Sequence, residues 1–250
     1  MRGVHVAEPG EGITQHTVSL EAERPPIRAF LQARMSSRRF PGKVLAPFRG
    51  QPLIDHVLHA VTEALPTIPV VVATSTAPSD DPLVAYLYRR QVPVFRGPLE
   101  DVFTRFRLCV LHYPCTWILR LSCDSPLLDA RILRRVVSQA HQTPCDLVTT
   151  IFPRTFPRGH NAELIRVATF LSLDETLLTA TDREHVTGFY YRRPERFHIV
   201  NISSGDPALA RMSLAIDTVA DLHRLEATVP TAFPLFPYEV LQCMHVSVAQ

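Results

Sequence analysis

Between residues 32 and 43 the chain reads Gln-Ala-Arg-Met-Ser-Ser-Arg-Arg-Phe-Pro-Gly-Lys. Arg34, Arg38, Arg39 and Lys43 bring four cations into one short stretch, beside the hydroxyls of Ser36 and Ser37 and a turn at Pro41 and Gly42. Such a loop offers backbone amides, hydroxyls and cations to one ligand, which suits a triphosphate. It lacks the G-x-x-x-x-G-K-S/T spacing of a Walker loop, so a P-loop ATPase is not expected. The same composition describes a solvated basic loop, and the motif alone leaves both readings open. Lysine and arginine together number 26, and Lys43 is the only lysine among them. An arginine bias explains the background. It does not explain why the one lysine falls here, unless by accident of composition. A compact ammonium follows moving phosphate charge in a way that a planar guanidinium does not.

Two acids stand in matching places. Leu119-Arg120-Leu121-Ser122-Cys123-Asp124-Ser125-Pro126 sets Asp124 just past an apolar run and before a proline turn, a position suited to a divalent cation. Leu214-Ala215-Ile216-Asp217-Thr218 follows the same plan. Two carboxylates from two strand ends could share one magnesium ion. Asp217 is equally placed to cap a helix starting at Val219, a role compatible with metal binding. A second basic group, Arg154, Arg158, Arg183, His185 and Arg196, suits a carboxylate, phosphate or phosphonate, or else ties its own segment together. His56 and His59 share a helix face without a third ligand in view and read as surface or packing groups.

The elements that must hold these residues alternate at βαβ spacing. Residues 27–33, 68–74, 92–95, 116–121 and 146–151 read as strands, and 51–65, 80–91, 99–112 and 129–142 as helices. Leu53, Ile54, Val57, Leu58 and Val61 share one face of the first helix. Strands joined by crossover helices imply an α/β fold with a mostly parallel sheet, whose ligands sit outside the carboxyl ends of the strands. Arg34, Ser75 and Asp124 all follow strands in this scheme. The stretch 152–205 breaks the alternation and is rich in Arg, His and aromatics, so it is expected to be an inserted region that covers a ligand or makes a dimer contact.

At 250 residues the chain fits one α/β domain, or two small domains at most; it is read as one domain over 27–250, with 1–26 expected to be a mobile extension. That extension mixes acids, Gly and Pro and lacks the apolar stretch of a signal peptide. No apolar run is long enough for a bilayer, and a net charge of +2 gives no argument for a nucleic-acid or membrane partner. Cys109, Cys115, Cys123, Cys145 and Cys243 form no Cys-x-x-Cys pair, which points to reduced thiols in a cytoplasmic protein.

Taken in order, further motifs join the first three. They are Val71-Val72-Ala73-Thr74-Ser75-Thr76 with Asp80-Asp81, Val92-Pro93-Val94-Phe95-Arg96-Gly97, and Asp101-Val102-Phe103-Thr104-Arg105-Phe106. Phe156-Pro157-Arg158-Gly159 and Arg183-Glu184-His185-Val186-Thr187 come after them. The ordered set, over about residues 27 to 240, resembles the cytidylyltransferases of the spore-coat polysaccharide type, relatives of the CMP-KDO and CMP-sialic acid synthetases.

The resemblance implies a Rossmann-like sheet of the nucleotide-diphosphosugar transferase kind, a homodimer, CTP, Mg2+ and release of pyrophosphate. By position, Arg34 and Lys43 would hold the triphosphate and Asp124 and Asp217 the metal. Ala33, Ser37, Arg38, Gly42 and Arg105 would complete the nucleotide site, with Ser75 and Thr76 bordering the base. Arg154, Arg158, Arg183 and His185 would face an acidic sugar or other anionic acceptor, in polysaccharide or glycoconjugate precursor synthesis. Arg38 and His160-Asn161-Ala162 depart from the family pattern, which bears on the acceptor more than on the reaction. A phosphonate or phosphorylated acceptor stays open. A glycosyltransferase of the same fold would normally show Asp-x-Asp, which Asp124-Ser125-Pro126 is not. A non-catalytic nucleotide-binding module would be favoured by loss of Lys43 or an aspartate, and all three are present.

Overall fold

The strands in chain order are β1 (Ile27–Gln32), β2 (Pro47–Phe48), β3 (Gln51–Pro52), β4 (Val70–Ser75), β5 (Val94–Gly97), β6 (Trp117–Ser122), β7 (Leu147–Thr149), β8 (Glu163–Arg166) and β9 (Ile199–Asn201). The helices are α1 (Leu53–Ala64), α2 (Asp81–Arg89), α3 (Val102–His112), α4 (Ala130–Gln142), α5 (Val167–Leu171), α6 (Ala180–His185), α7 (Gly188–Arg192) and α8 (Val219–Thr228). They come from a computed structural model that describes residues 27–142 and 144–228. The proposed extension over 1–26 lies outside the described residues.

Seven strands form one sheet in the order β5-β4-β1-β6-β8-β7-β9, and β2 and β3 make a separate small hairpin. Every pairing in the large sheet is parallel except those of β8, which runs antiparallel to both β6 and β7. The mostly parallel α/β sheet expected from the alternation is therefore present. Two of its strands, β8 and β9, come from the 152–205 stretch, so that stretch builds one flank of the main sheet.

The central strands bury both faces, as parallel strands covered by helices must. In β1, Ala29 and Leu31 join Val57, Val61, Leu119 and Leu133 under α1 and α4. Phe30 points the other way, to Val71, Phe103, Phe106, Ile118 and Phe170 under α3 and α5. A third cluster, Phe48, Leu53, Leu127, Leu209, Leu214, Ile216, Leu222 and Leu225, packs α8 and the segment before it onto the hairpin and the turn after β6. Full burial of such side chains contributes about 1.5–3 kcal/mol each. This third cluster carries Asp217 across the molecule to Asp124. The backbone completes the join: the Ile216 amide donates to the Asp124 carbonyl at 2.8 Å, and Leu214 donates to the Arg158 carbonyl at 2.7 Å.

Candidate active site

The register aligns Gln32 of β1 with Ser122 of β6, so these two strands end together, and with Ala73 of β4, which runs on to Ser75. Outside those ends lies a cleft of about 790 Å³. Of the residues expected from the sequence, Ala33, Arg34, Ser37, Arg38, Lys43, Asp124, Arg154, Arg158, His185 and Asp217 line it. Gly42, Ser75, Thr76, Arg105, Arg183 and Arg196 do not.

The loop after β1 closes on itself. Gly42 takes a left-handed conformation (φ 74°) that a side chain would strain, and its amide donates to the Met35 carbonyl at 2.7 Å. That turn points Lys43 inward, where its side chain is only 12% exposed. Its Nζ donates to Asp124 Oδ2 at 3.1 Å, Asp217 Oδ1 at 3.0 Å and the Ile216 carbonyl at 3.0 Å. Arg39 reaches the other oxygen of Asp217 at 2.9 Å. The two candidate metal ligands, distant in sequence, thus meet at one ammonium.

Asp217 does not cap α8. Thr218 does, accepting from the Asp221 amide through Oγ1 at 3.1 Å while Asp221 Oδ2 accepts from the Thr218 amide at 2.9 Å, a reciprocal cap that leaves Asp217 to face the cleft. The donor set suits a magnesium ion, which favours hard oxygens and takes one or two carboxylates plus substrate phosphates. Among the described residues no group of three or more His, Cys, Asp and Glu is gathered to hold a metal. A cation on Asp124 and Asp217 would therefore draw its remaining ligands from phosphate and water.

From the sequence Asp80 is expected to open a helix and to belong to the motif set, and the structure makes it the buried support of the 33–43 loop. Its Oδ1 accepts from the Met35 amide at 2.7 Å. Its Oδ2 accepts from Thr74 Oγ1 at 2.9 Å, from the Ser75 amide at 3.0 Å and from Ser75 Oγ. Ser75 is consequently buried, with its hydroxyl committed to Asp80. The Thr76 amide extends the β4–β5 pairing by donating to the Gly97 carbonyl at 2.9 Å. The usable signal is a Thr-Ser strand end followed closely by an acid.

Arg105 lies behind the same loop, fully buried, and no nitrogen of its guanidinium has a hydrogen-bond partner among the described residues. Burial, then the positive charge of Arg34, pushes its pKa down to about 10, so it stays charged at neutral pH. Gly97 is required beside it, since a Cβ there would sit 2.9 Å from Arg105 Cγ.

Arg183 is turned to Asp101, the cap of α3, donating at 2.7 Å, and to the Glu175 carbonyl at 3.1 Å. It latches α6 to α3 and so holds its neighbours Glu184 and His185 on the cleft. Arg154 and Arg158 make a different case. Arg154 donates to Asn161 Oδ1 at 2.7 Å, and neither arginine is ion-paired with a carboxylate among the described residues. Burial and then the charge of Arg158 lower the Arg154 pKa. The nearby Glu163, paired with Arg120, offsets part of this, so the two guanidinium groups lack a direct ion-pair partner among the described residues but not all opposing charge, an arrangement that suits an anion.

The back wall is a buried network that the sequence does not suggest. Glu163 Oε1 accepts from Thr187 Oγ1 at 2.7 Å and from Tyr191, while its Oε2 pairs with Arg120. Arg120 in turn donates to Gln32 Oε1 at 2.9 Å. Burial, followed by the charge of Glu163, holds the Tyr191 hydroxyl well above its ordinary pKa, and the ring stacks on Phe152 at 4.9 Å. Glu163 sits in a strand with only two apolar residues, Leu164 and Ile165, which explains why no strand is expected there.

Comparison with known proteins gives this cleft its relatives. The cytidylyltransferase family pattern matches residues 29–242. The spore coat polysaccharide biosynthesis protein SpsF of Bacillus subtilis (strain 168) is 31% identical over 209 residues, 80% of this chain and 85% of that protein. A 3-deoxy-manno-octulosonate cytidylyltransferase of Geobacter sulfurreducens is 28% identical over 131 residues, 51% of this chain and 50% of that protein. Among solved structures, a cytidylyltransferase from Leptospira borgpetersenii serovar Hardjo-bovis superimposes with a TM-score of 0.81 at 26% identity, over 90% of this chain and 96% of that one. A CMP:2-keto-3-deoxy-manno-octonic acid synthetase solved with CTP shares the fold, with a TM-score of 0.62 at 15% identity over 80% of this chain and 97% of that one. The motifs that converge on the cleft fall within the matched span, and the chain belongs to the cytidylyltransferase family of the spore-coat polysaccharide type, as a CTP-dependent nucleotidyltransferase.

Proposed function

We propose that the protein transfers CMP from CTP to an acidic sugar or similar anionic acceptor, releasing pyrophosphate, in the synthesis of a polysaccharide or glycoconjugate precursor. One observation carries the reading. The cations of the 33–43 loop and the pair Asp124 and Asp217 share a single cleft with Arg154 and Arg158, two guanidinium groups that have no carboxylate of their own among the described residues. A nucleotide on the first group and an anionic acceptor on the second would stand within reach of each other. The 3-deoxy-manno-octulosonate enzymes among the relatives act, by name, on a sugar acid.

In this account an acceptor oxygen attacks the α-phosphorus in line. The new O–P bond forms as the bond to pyrophosphate breaks, and the acceptor's proton, where it has one, leaves to solvent. The chain does little covalent chemistry here, so positioning and charge dominate. Lys43 and Arg34 offset the charge that grows on the departing pyrophosphate. Asp124 and Asp217 would hold Mg2+, which neutralises phosphate charge when bound. Arg154 and Arg158 fix the acceptor's anionic group, and the Arg120–Glu163–Tyr191 network keeps the wall behind it rigid and shaped.

The test is a panel of acceptors incubated with CTP and Mg2+, with product read by mass spectrometry. The expected result is a CMP conjugate with sugar acids and none with their neutral counterparts. A conjugate formed equally well from neutral sugars would remove the acceptor assignment, and no conjugate from any acceptor would remove the reaction.

A further inference from the structure

Every carboxylate oxygen that would meet a divalent cation in the cleft already has a partner from the chain itself. Asp217 Oδ1 and Asp124 Oδ2 accept from Lys43, Asp217 Oδ2 faces Arg39 at 2.9 Å, and Asp124 Oδ1 accepts from Ser125 Oγ at 3.0 Å. The three N–H donors of the Lys43 ammonium match three acceptors, the third being the Ile216 carbonyl at 3.0 Å. A compact ammonium fits this tripod of oxygens, and a flat guanidinium does not. The group stands where the donor set converges, which is also where a hard cation would sit.

The charge balance of the cluster limits what can enter it. Two carboxylates face two cations, Lys43 and Arg39, so the cluster is locally neutral. A divalent cation arriving alone would compete with the ammonium for both carboxylates, leaving it the Ile216 carbonyl alone, and would give the cluster excess positive charge. A triphosphate arriving alone would set its charge beside two carboxylates. Arriving together, they permit an exchange: the carboxylates turn from Lys43 to the metal, and Lys43 and Arg39 turn from the carboxylates to the phosphates.

We infer that Lys43 is a built-in stand-in for the divalent cation, so that the metal site opens only as the ammonium passes to the triphosphate. This rests on the proposed reading of Asp124 and Asp217 as metal ligands and adds to it the way that site is controlled. It makes metal and nucleotide strengthen each other's binding reciprocally, by a factor on the order of 10 to 100. It also gives the lone lysine a task that arginine cannot perform. The loop that carries it is held from beneath by Asp80 and closed by Gly42, so the move is confined to the side chain.

Two measurements test the inference, and neither depends on turnover. The first titrates Mn2+ without nucleotide, followed by water-proton relaxation, into the wild-type protein and Lys43→Met. The variant is expected to bind Mn2+ at least about tenfold more tightly, and the gain should vanish in Lys43→Met combined with Asp124→Asn. Equal nucleotide-free affinities of wild type and Lys43→Met would overturn the inference. The second uses only the wild-type chain and its single lysine, labelled with 15N at Nζ. Its one ammonium signal should hold its position with Mg2+ alone and move when CTP is added with Mg2+. A signal that moves fully with Mg2+ alone overturns the inference while leaving the metal ligands intact. If Mn2+ binds neither protein, with or without CTP, the ligand assignment of the proposed function falls, and the inference falls with it.

Discussion

Asp80→Asn probes whether the 33–43 loop, proposed to hold the nucleotide, is supported from below by one buried carboxylate. In the native protein both oxygens accept: one from the Met35 amide, the other from Thr74, the Ser75 amide and Ser75 Oγ. Asparagine keeps one acceptor and turns the other into a donor. The hydroxyls of Thr74 and Ser75 can rotate to accept from it, but a backbone N–H cannot. Whichever way the amide is flipped, either Met35 or Ser75 is left with an N–H facing an N–H inside the protein. Losing one charge-assisted bond costs about 1.5–3 kcal/mol, and the orphaned donor adds about 1–3 kcal/mol. The sum is on the order of 3–5 kcal/mol, which for a chain of this size lowers Tm by on the order of 10 °C. Because Met35 heads the loop that carries Arg34 to Lys43, CTP affinity should fall as well. Urea unfolding gives the stability and calorimetric titration of CTP gives the affinity. Asp81→Asn is the control: its exposed pair with Arg96 is worth no more than about 1 kcal/mol. If Asp80→Asn differs from wild type by no more than that control, the supporting role of Asp80 is wrong.

Three further outcomes are expected. Lys43→Arg keeps its charge but should lower kcat by about tenfold or more, with Lys43→Ala losing about 10²–10³; steady-state kinetics with wild-type kcat for Lys43→Arg would show that its ammonium is not needed. Burial drives the pKa of His160 down to about 4 from an ordinary 6.5, so the unfolded chain binds a proton that the folded one refuses. Its share of stability, on the order of 3 kcal/mol, is present above pH 6.5 and is lost as pH falls toward 4; urea midpoints across that window should drop in wild type and flatten in His160→Gln. Thermal-shift assays in Mg2+ should show a larger rise with CTP than with UTP, ATP or GTP, and an equal rise with a purine triphosphate would refute the cytosine preference.

The sheet's central strands are legible because each carries an apolar run long enough to be buried on both faces. Val70 to Ser75 and Trp117 to Ser122 are of this kind. β8 and β9 are not, since a four-residue strand bracketed by Glu163 and Arg166 and a three-residue strand at Ile199–Asn201 have no periodicity to read. The loop ending at Lys43 and Asp124 stand out by composition and by following strands, whereas the apolar run before Asp217, which reads as a strand, forms none and packs instead as an irregular segment in the third core cluster. The convergence of both aspartates on one ammonium does not stand out, because Lys43 and Asp217 lie 174 residues apart and meet only through the packing of that cluster. Arg183 shows the opposite limit. Its charge and its place in a basic stretch suggest a ligand contact, while the carboxylate that takes it up, Asp101, lies 82 residues earlier. A sequence shows which side chains carry charge, but the fold decides which charges are already paired.

The central claim is that Asp124 and Asp217 together hold the metal on which CTP turnover depends. Pyrophosphate release from CTP and an accepted sugar acid, measured at limiting Mg2+, tests it most directly in wild type, Asp124→Asn and Asp217→Asn. A neutral amide is a poor magnesium ligand, so each variant should remain folded by its melting curve yet release pyrophosphate about 10²–10³ more slowly. A folded Asp124→Asn or Asp217→Asn protein that releases pyrophosphate at the wild-type rate under those conditions would contradict the claim.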